Sequence, residues 1–135
     1  MSLLLDTDIC IALLRGRLPG PRQRLAGELG QGRPVGISAI SMHELWFGVA
    51  GSERAQAGAA EMQRLATVLE VLEFDADDAR AAGRIRSDLK RRGTPIGPFD
   101  VLIAGQALAR GLTLATGNVR EFARVPGLQV ESWLD

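Results

Sequence analysis

The sequence predicts an α/β fold, a three-layer α/β/α sandwich around a mainly parallel central sheet. Short apolar runs of strand length, such as Leu3-Leu4-Leu5, residues 34–38 and residues 112–116, alternate with longer helical stretches over the whole chain. That alternation is the signature of strand–helix–strand crossovers and therefore of parallel pairing. No internal repeat, low-complexity segment or linker interrupts it, and 135 residues suit one domain, 1–135.

Residues 2–5 read as a buried strand, and residues 9–14 as a helix that ends near Gly16 and Pro19. Residues 22–29 form a second helix closed by Gly30-Gln31-Gly32. The stretch 34–38 has the length and β-branched content of a strand. Ser41-Met42-His43-Glu44 carries a Ser-x-x-Glu capping pattern and opens a helix to about residue 50. Residues 54–69 are helical, and Val71 to Phe74 extended. Asp75, Asp77 and Asp78 begin the next helix with the acids its dipole favours; that helix ends at Gly93-Thr94-Pro95. A turn-rich loop, 95–100, leads into helix 99–110. Strand 112–116, a short helix from Asn118 to Arg124 and strand 128–132 complete the chain.

Composition narrows the function. No apolar run approaches the ~20 residues of a membrane span. The N-terminus lacks a basic region followed by a long apolar stretch, so no secretory signal is expected. The lone cysteine, Cys10, excludes an internal disulfide and fits a reducing compartment. A cytoplasmic protein is expected. Sixteen basic and sixteen acidic residues balance, so overall charge does not argue for nucleic acid. Fifteen of the sixteen basic residues are arginine. Arginine can fork onto phosphate, although coding bias would also enrich it alongside Ala and Gly.

The acids are the informative residues. Ligands of open α/β sheets bind at the carboxyl ends of the strands. Asp6 ends the first strand, Glu44 follows the second, Asp100 opens a helix, and Asn118 lies just past 112–116. Each has a plain structural role open to it: Asp6 as a helix cap, Glu44 in a capping box, Asp100 against a helix dipole, Asn118 as an N-cap. Position adds weight to a second reading. Asp100 lies on the same stripe as Ile103, Ala104, Ala107 and Leu108, Asp6 follows three leucines, and Glu44 sits beside Leu45, Trp46 and Phe47. Partly buried acids that meet must protonate or share a cation. Oxygen ligands suit Mg²⁺, with Mn²⁺ the alternative. Zinc is disfavoured: His43 is the only histidine, and Phe47 stands where H-E-x-x-H needs the second one.

At these residues the chain resembles the PIN-domain ribonucleases, specifically the VapC toxins. The resemblance lies in "LLLDTDICIALLRG", "ISAISMHELWFGV" (37–49) and "PIGPFDVLIAGQALARGLTLATGNVREFARVPGLQVESW" (95–133), in that order. It implies Mg²⁺-dependent RNA cleavage, metal ligands at Asp6, Glu44 and Asp100, and supporting roles for Thr116 and Asn118. Many members carry a further acid where this chain has Asn118, and Phe99 replaces a frequent small polar residue. Asp8 is then a helix-start or outer-shell group. Arg15, Arg17, Arg84, Arg86, Arg91 and Arg92 are candidate RNA-binding cations. The resemblance also implies a VapB-like antitoxin and a homodimer, with Trp46 and Phe47 either in the core or at an antitoxin groove. Two other classes remain open: a haloacid-dehalogenase-like phosphatase with Asp6 as nucleophile and Asp8 as acid, and a PIN module that binds RNA or protein without cutting.

Overall fold

A computed structural model describes residues 2–16 and 18–134; Arg17, Met1 and Asp135 lie outside the described residues. Five strands, β1 (Leu3–Leu5), β2 (Val35–Ser38), β3 (Glu70–Leu72), β4 (Thr113–Thr116) and β5 (Val130–Ser132), form one sheet in the order β3-β2-β1-β4-β5. Every pairing is parallel. The chain steps outward from β1 through β2 to β3, then returns to place β4 on the other side of β1. The strand order therefore reverses between β1 and β4, and the carboxyl ends of those two strands flank the crevice where such sheets bind ligands.

Side-chain alternation builds the layers. Successive residues of a strand face opposite sides. Leu3 and Leu5 pack with Ile9, Cys10, Leu13, Leu25, Leu45, Met62 and Leu65, from α1 (Thr7–Arg15), α2 (Pro19–Gly30), α3 (Ala39–Ala50) and α4 (Ala55–Val68). Leu4 faces the other way, among Ile85, Leu89, Val101, Ile103, Ala104 and Phe122. Those come from α5 (Ala76–Arg91), α6 (Pro98–Ala109) and the short α7 (Val119–Phe122). Three consecutive leucines thus serve two cores, one on each side of the sheet.

The structure corrects several element boundaries. Helix α1 begins at Thr7 rather than Ile9, because the Asp6 side chain caps it by accepting the Thr7 N–H. Helix α2 begins at Pro19, whose missing N–H suits a first turn. The Ser41–Glu44 capping box does not form. Ser38, at the end of β2, caps α3 by accepting the Ile40 N–H at 3.0 Å, and Ser41 is buried within the first turn. The expected capping acids of α5 do form a reciprocal box: Asp75 accepts from the Asp78 N–H, and Asp78 accepts from the Asp75 N–H.

Asp78 also anchors α5 to α6. Its buried carboxylate accepts from Arg110 Nη2 at 2.9 Å and Nε at 3.2 Å, while Arg110 and Gln106 donate to the Glu73 carbonyl. Burial alone would raise its pKa, but the guanidinium and the Asp75 N–H outweigh that and hold the carboxyl below its ordinary range. The two helices touch where Gly105 meets Ala82. A Cβ on Gly105 would lie 2.6 Å from the Ala82 backbone. Gly105→Ala should therefore force α5 and α6 apart and destabilise the fold by about 1–3 kcal/mol, as overpacking does. Urea unfolding would measure this, and an unchanged midpoint would contradict the close crossing.

Candidate active site

The crevice between β1 and β4 is built from backbone register first. Leu5 pairs with Ala115, and the Asp6 N–H donates to the Ala115 carbonyl at 2.8 Å. The next residue of each strand end, Asp6 and Thr116, is thereby brought side by side. The Thr116 hydroxyl donates to Asp6 Oδ2 at 2.8 Å, and the Thr7 N–H donates to Oδ1 at 2.8 Å. Asp6 is only 4% exposed, so both oxygens are held in a nearly dry position.

Further acids gather around it. Asp8 Oδ2 accepts the Gly117 N–H at 2.9 Å, while its Oδ1 is buried without a hydrogen-bond partner. Asn118 donates its backbone N–H to the Thr116 hydroxyl at 2.9 Å. Its side chain does not cap α7; its Nδ2 donates to Glu121 Oε2 at 2.6 Å. Glu121 Oε1 also accepts the Gly97 N–H at 3.0 Å, tying α7 to the start of α6. Asp100 folds back over that same glycine: a Cβ on Gly97 would lie 2.8 Å from Asp100 Oδ2. Glycine is needed there for the carboxylate to take this position.

Glu44 is placed by a relay of hydroxyls. Thr7 Oγ1 donates to Glu44 Oε1 at 2.8 Å and lies 2.8 Å from Ser41 Oγ. Thr7 has one hydroxyl proton, so with Glu44 taking it, Ser41 is the donor in the second bond. Ser41, read from sequence as a helix cap, instead helps orient an acid from inside the helix. Thr7 and Ser41 thus belong to the site although the sequence singled out neither for it.

The electrostatics follow from this crowding. Burial, then Asp8 and Asp100, push the Asp6 carboxyl up to about 8, against the Thr116 and Thr7 hydrogen bonds. Burial, then Glu121, Glu44 and Asp8, push Asp100 up to about 7. Among the described residues, none of the ion pairs involves Asp6, Asp8, Glu44, Asp100 or Glu121. Asp6, Thr116 and Asn118 form one hydrogen-bonded chain; Asp100 is coupled to Asp6 and Glu44 through charge alone. Among the described residues, no group of three or more His, Cys, Asp or Glu side chains is already arranged to hold a metal ion. The anticipated trio of Asp6, Glu44 and Asp100 is therefore not preassembled. Hydrogen bonds draw Glu44 to Thr7, and Asp100 sits against Glu121.

Glu121 escaped the sequence reading as a site residue. Its only signal was its place three residues after Asn118, which also suits a capping pattern. Trp46 and Phe47 are not core residues: they are 38% and 78% exposed. Arg91 and Arg92 are engaged with Asp88, at 3.7 and 3.2 Å. No helix among the described residues is long and apolar enough to cross a membrane.

Comparison with known proteins finds likenesses over nearly the whole chain. The PIN domain family matches residues 3–128. The tRNA(fMet)-specific endonuclease VapC of Shigella flexneri is 39% identical over 133 residues, covering 98% of both chains. Ribonuclease VapC2 of Rickettsia felis is 32% identical over 98% of both. Among solved structures, VapBC2 of Rickettsia felis bound to a promoter DNA fragment superposes with a TM-score of 0.92, at 32% identity and 98% and 99% coverage. DNA-bound VapBC of Salmonella typhimurium gives 0.91, at 38% identity and 98% coverage of both. The fold, its acid-lined crevice and these full-length likenesses agree: the chain belongs to the PIN-domain family and stands among its VapC proteins.

Proposed function

We infer that this chain is a metal-dependent ribonuclease of the VapC type, restrained by a VapB-type antitoxin. The observation that carries the reading is the gathering of five carboxylates at the β1–β4 crevice, none in an ion pair among the described residues. The phosphatase alternative needs Asp6 as a nucleophile, but Asp6 is buried with both oxygens accepting hydrogen bonds. Family membership also argues against it.

The residues suit a hard divalent cation. All available donors are oxygens, Asp8 Oδ1 is buried without a partner, and Asp6 and Asp100 resist ionising in each other's presence. Mg²⁺ keeps several of its waters, so ligation through water accommodates carboxylates that are not preassembled. Mn²⁺ would serve the same donors. When bound, such an ion lowers the pKa of a water and offsets charge on the phosphoryl oxygens. In this proposal Asp6 and Asp100 hold the ion, with Glu44 completing the set. Thr116 fixes the Asp6 carboxylate, and the Ser41–Thr7 relay fixes Glu44. Asn118 orients Glu121, which stands against Asp100. The substrate to test first is transfer RNA, since two relatives are named for it.

An apolar groove of about 370 Å³ runs from Glu44 along α1, α3 and α4, lined by Ile11, Leu14, Leu45 and Val49. In this reading an antitoxin segment occupies it and reaches the acids from their open side. A homodimer belongs to the same proposal, with sedimentation its measure.

Two experiments test the reading. Purified protein should cut RNA at discrete positions with Mg²⁺ and not with EDTA. Removing an outer-shell partner of a metal typically lowers activity about 10- to 100-fold. Glu121→Gln should fall in that range, and Asp6→Asn and Asp100→Asn should fall below it. Cuts that persist in both aspartate variants would sink the assignment.

The second experiment reads stability. Unfolded, both aspartates ionise near 3.8; folded, they do so near 8 and 7. Between those values the folded state binds more protons, so stability must fall as pH rises. Metal-free protein should melt several degrees lower at pH 8.5 than at pH 5.5. Added Mg²⁺ should restore the loss at the higher pH and have little effect at the lower, because it competes with protons for the carboxylates. A melting temperature insensitive to both would contradict a site built from these acids.

A further inference from the structure

We propose that Phe99, backed by His43, is a stacking platform for an unpaired nucleobase beside the scissile phosphate, and so selects single-stranded or distorted RNA. The inference rests on the ribonuclease reading above and extends it to how the substrate is held. Phe99 immediately precedes Asp100, and His43 immediately precedes Glu44. The two rings are therefore carried by the same early helical turns as two of the acids. Their centroids lie 5.7 Å apart with planes tilted by 54°, within the range of favourable aromatic pairs. His43 thus supports one side of the Phe99 ring. Phe99 remains 42% exposed, an unusual position for a phenyl ring on a first helical turn that buries neighbouring Val101 and Ile103.

Three considerations point to a base as the occupant. A strand whose phosphate reaches the acid cluster carries an attached base within one nucleotide of it, and Phe99 adjoins Asp100 in the chain. The chain has no net charge, so bulk attraction to phosphates is weak and a contact independent of charge would add to the affinity that local cations supply. Finally, Arg86 and Lys90 line a cleft of about 320 Å³ that includes Pro98, the residue before Phe99. Neither forms an ion pair among the described residues. They offer cations to the flanking phosphates while the ring takes a base. Single strands are commonly held in this way, by aromatic stacking beside a cationic groove. Duplex RNA keeps its bases stacked within the helix and cannot present one to the ring.

The test uses the full chain and single-stranded oligoribonucleotides with 2-aminopurine at successive positions, in buffer containing EDTA and, separately, Ca²⁺. One position should be quenched on binding. Phe99→Leu should abolish that quenching and weaken binding about 5- to 100-fold, the usual effect of removing a stacked ring. Phe99→Tyr should retain both. The dependence of affinity on salt should keep its slope in Phe99→Leu, since no phosphate contact is lost. Wild-type affinity in Phe99→Leu, absence of quenching in both buffers, or a reduced salt slope would overturn the proposal. So would a Phe99→Leu variant that changes only the oligomeric state, since the ring would then be covered by a second copy. Should the wild type bind with quenching yet cut nothing in Mg²⁺, the ribonuclease reading fails while the stacking platform stands.

Discussion

The fold turns on a carboxylate placed where a strand leaves the core. Asp6 follows three leucines that serve two hydrophobic cores, and the parallel register of β1 with β4 fixes it beside Thr116. An ionised carboxyl there is penalised by burial and by its acidic neighbours. Nothing local relieves that penalty fully: two hydrogen bonds satisfy the oxygens but do not cancel the charge. Among the described residues none of the ion pairs involves Asp6, so the carboxyl either keeps its proton or takes a cation from outside the protein. The reversal in strand order supplies the location of that carboxyl, and the helices that start or end nearby supply the further acids.

Asp78 provides an internal contrast. It is as buried as Asp6 and also sits at the start of a helix. Yet its carboxyl is held below the ordinary range, because Arg110 forks onto it. One buried aspartate is neutralised by its own chain and joins α5 to α6; the other faces Asp8 and Asp100. Burial of an acid therefore does not by itself mark a functional group. The charges around the two differ in sign, and that difference supports the proposal above that Asp6 and Asp100 act in a site while Asp78 joins α5 to α6.

The same distinction explains what the sequence could reveal. Alternating strands and helices were legible because each apolar run is short and each helix shows its own apolar stripe. The parallel sheet followed from that alternation. The acids at strand ends were legible because a charge directly after a run of leucines is costly. Other features depend on contacts between distant segments. Ser41 fits a capping pattern along the chain, yet Ser38, three residues earlier and the last residue of β2, takes the cap. This frees Ser41 to face Thr7, 34 residues away. Glu121 belongs to a four-residue helix too short to carry a periodic signal, and it joins the acids only because α7 is tied to the start of α6. Trp46 and Phe47 read as apolar mass, but the face of α3 that packs on the sheet is set by Leu45 and Ser41, which leaves both rings largely outside.

A chain with equal numbers of acids and bases must recognise a polyanion by local arrangement. The crowded acids would repel phosphate, and a cation held among them, as proposed above, would turn that repulsion into attraction over a short range. This makes recognition conditional: only a strand that can bring a phosphate into the crevice gains from it. The Thr116 bond fixes the Asp6 carboxylate and the Ser41–Thr7 relay fixes Glu44, so in the proposal above the ordering left for ion and substrate is to bring these acids and Asp100 around one centre. A larger basic surface would bind more RNA but would do so without regard to its shape. Concentrating the electrostatics in one crevice, beside the exposed Phe99 ring proposed to take an unpaired base, would let a neutral protein discriminate among RNAs by conformation.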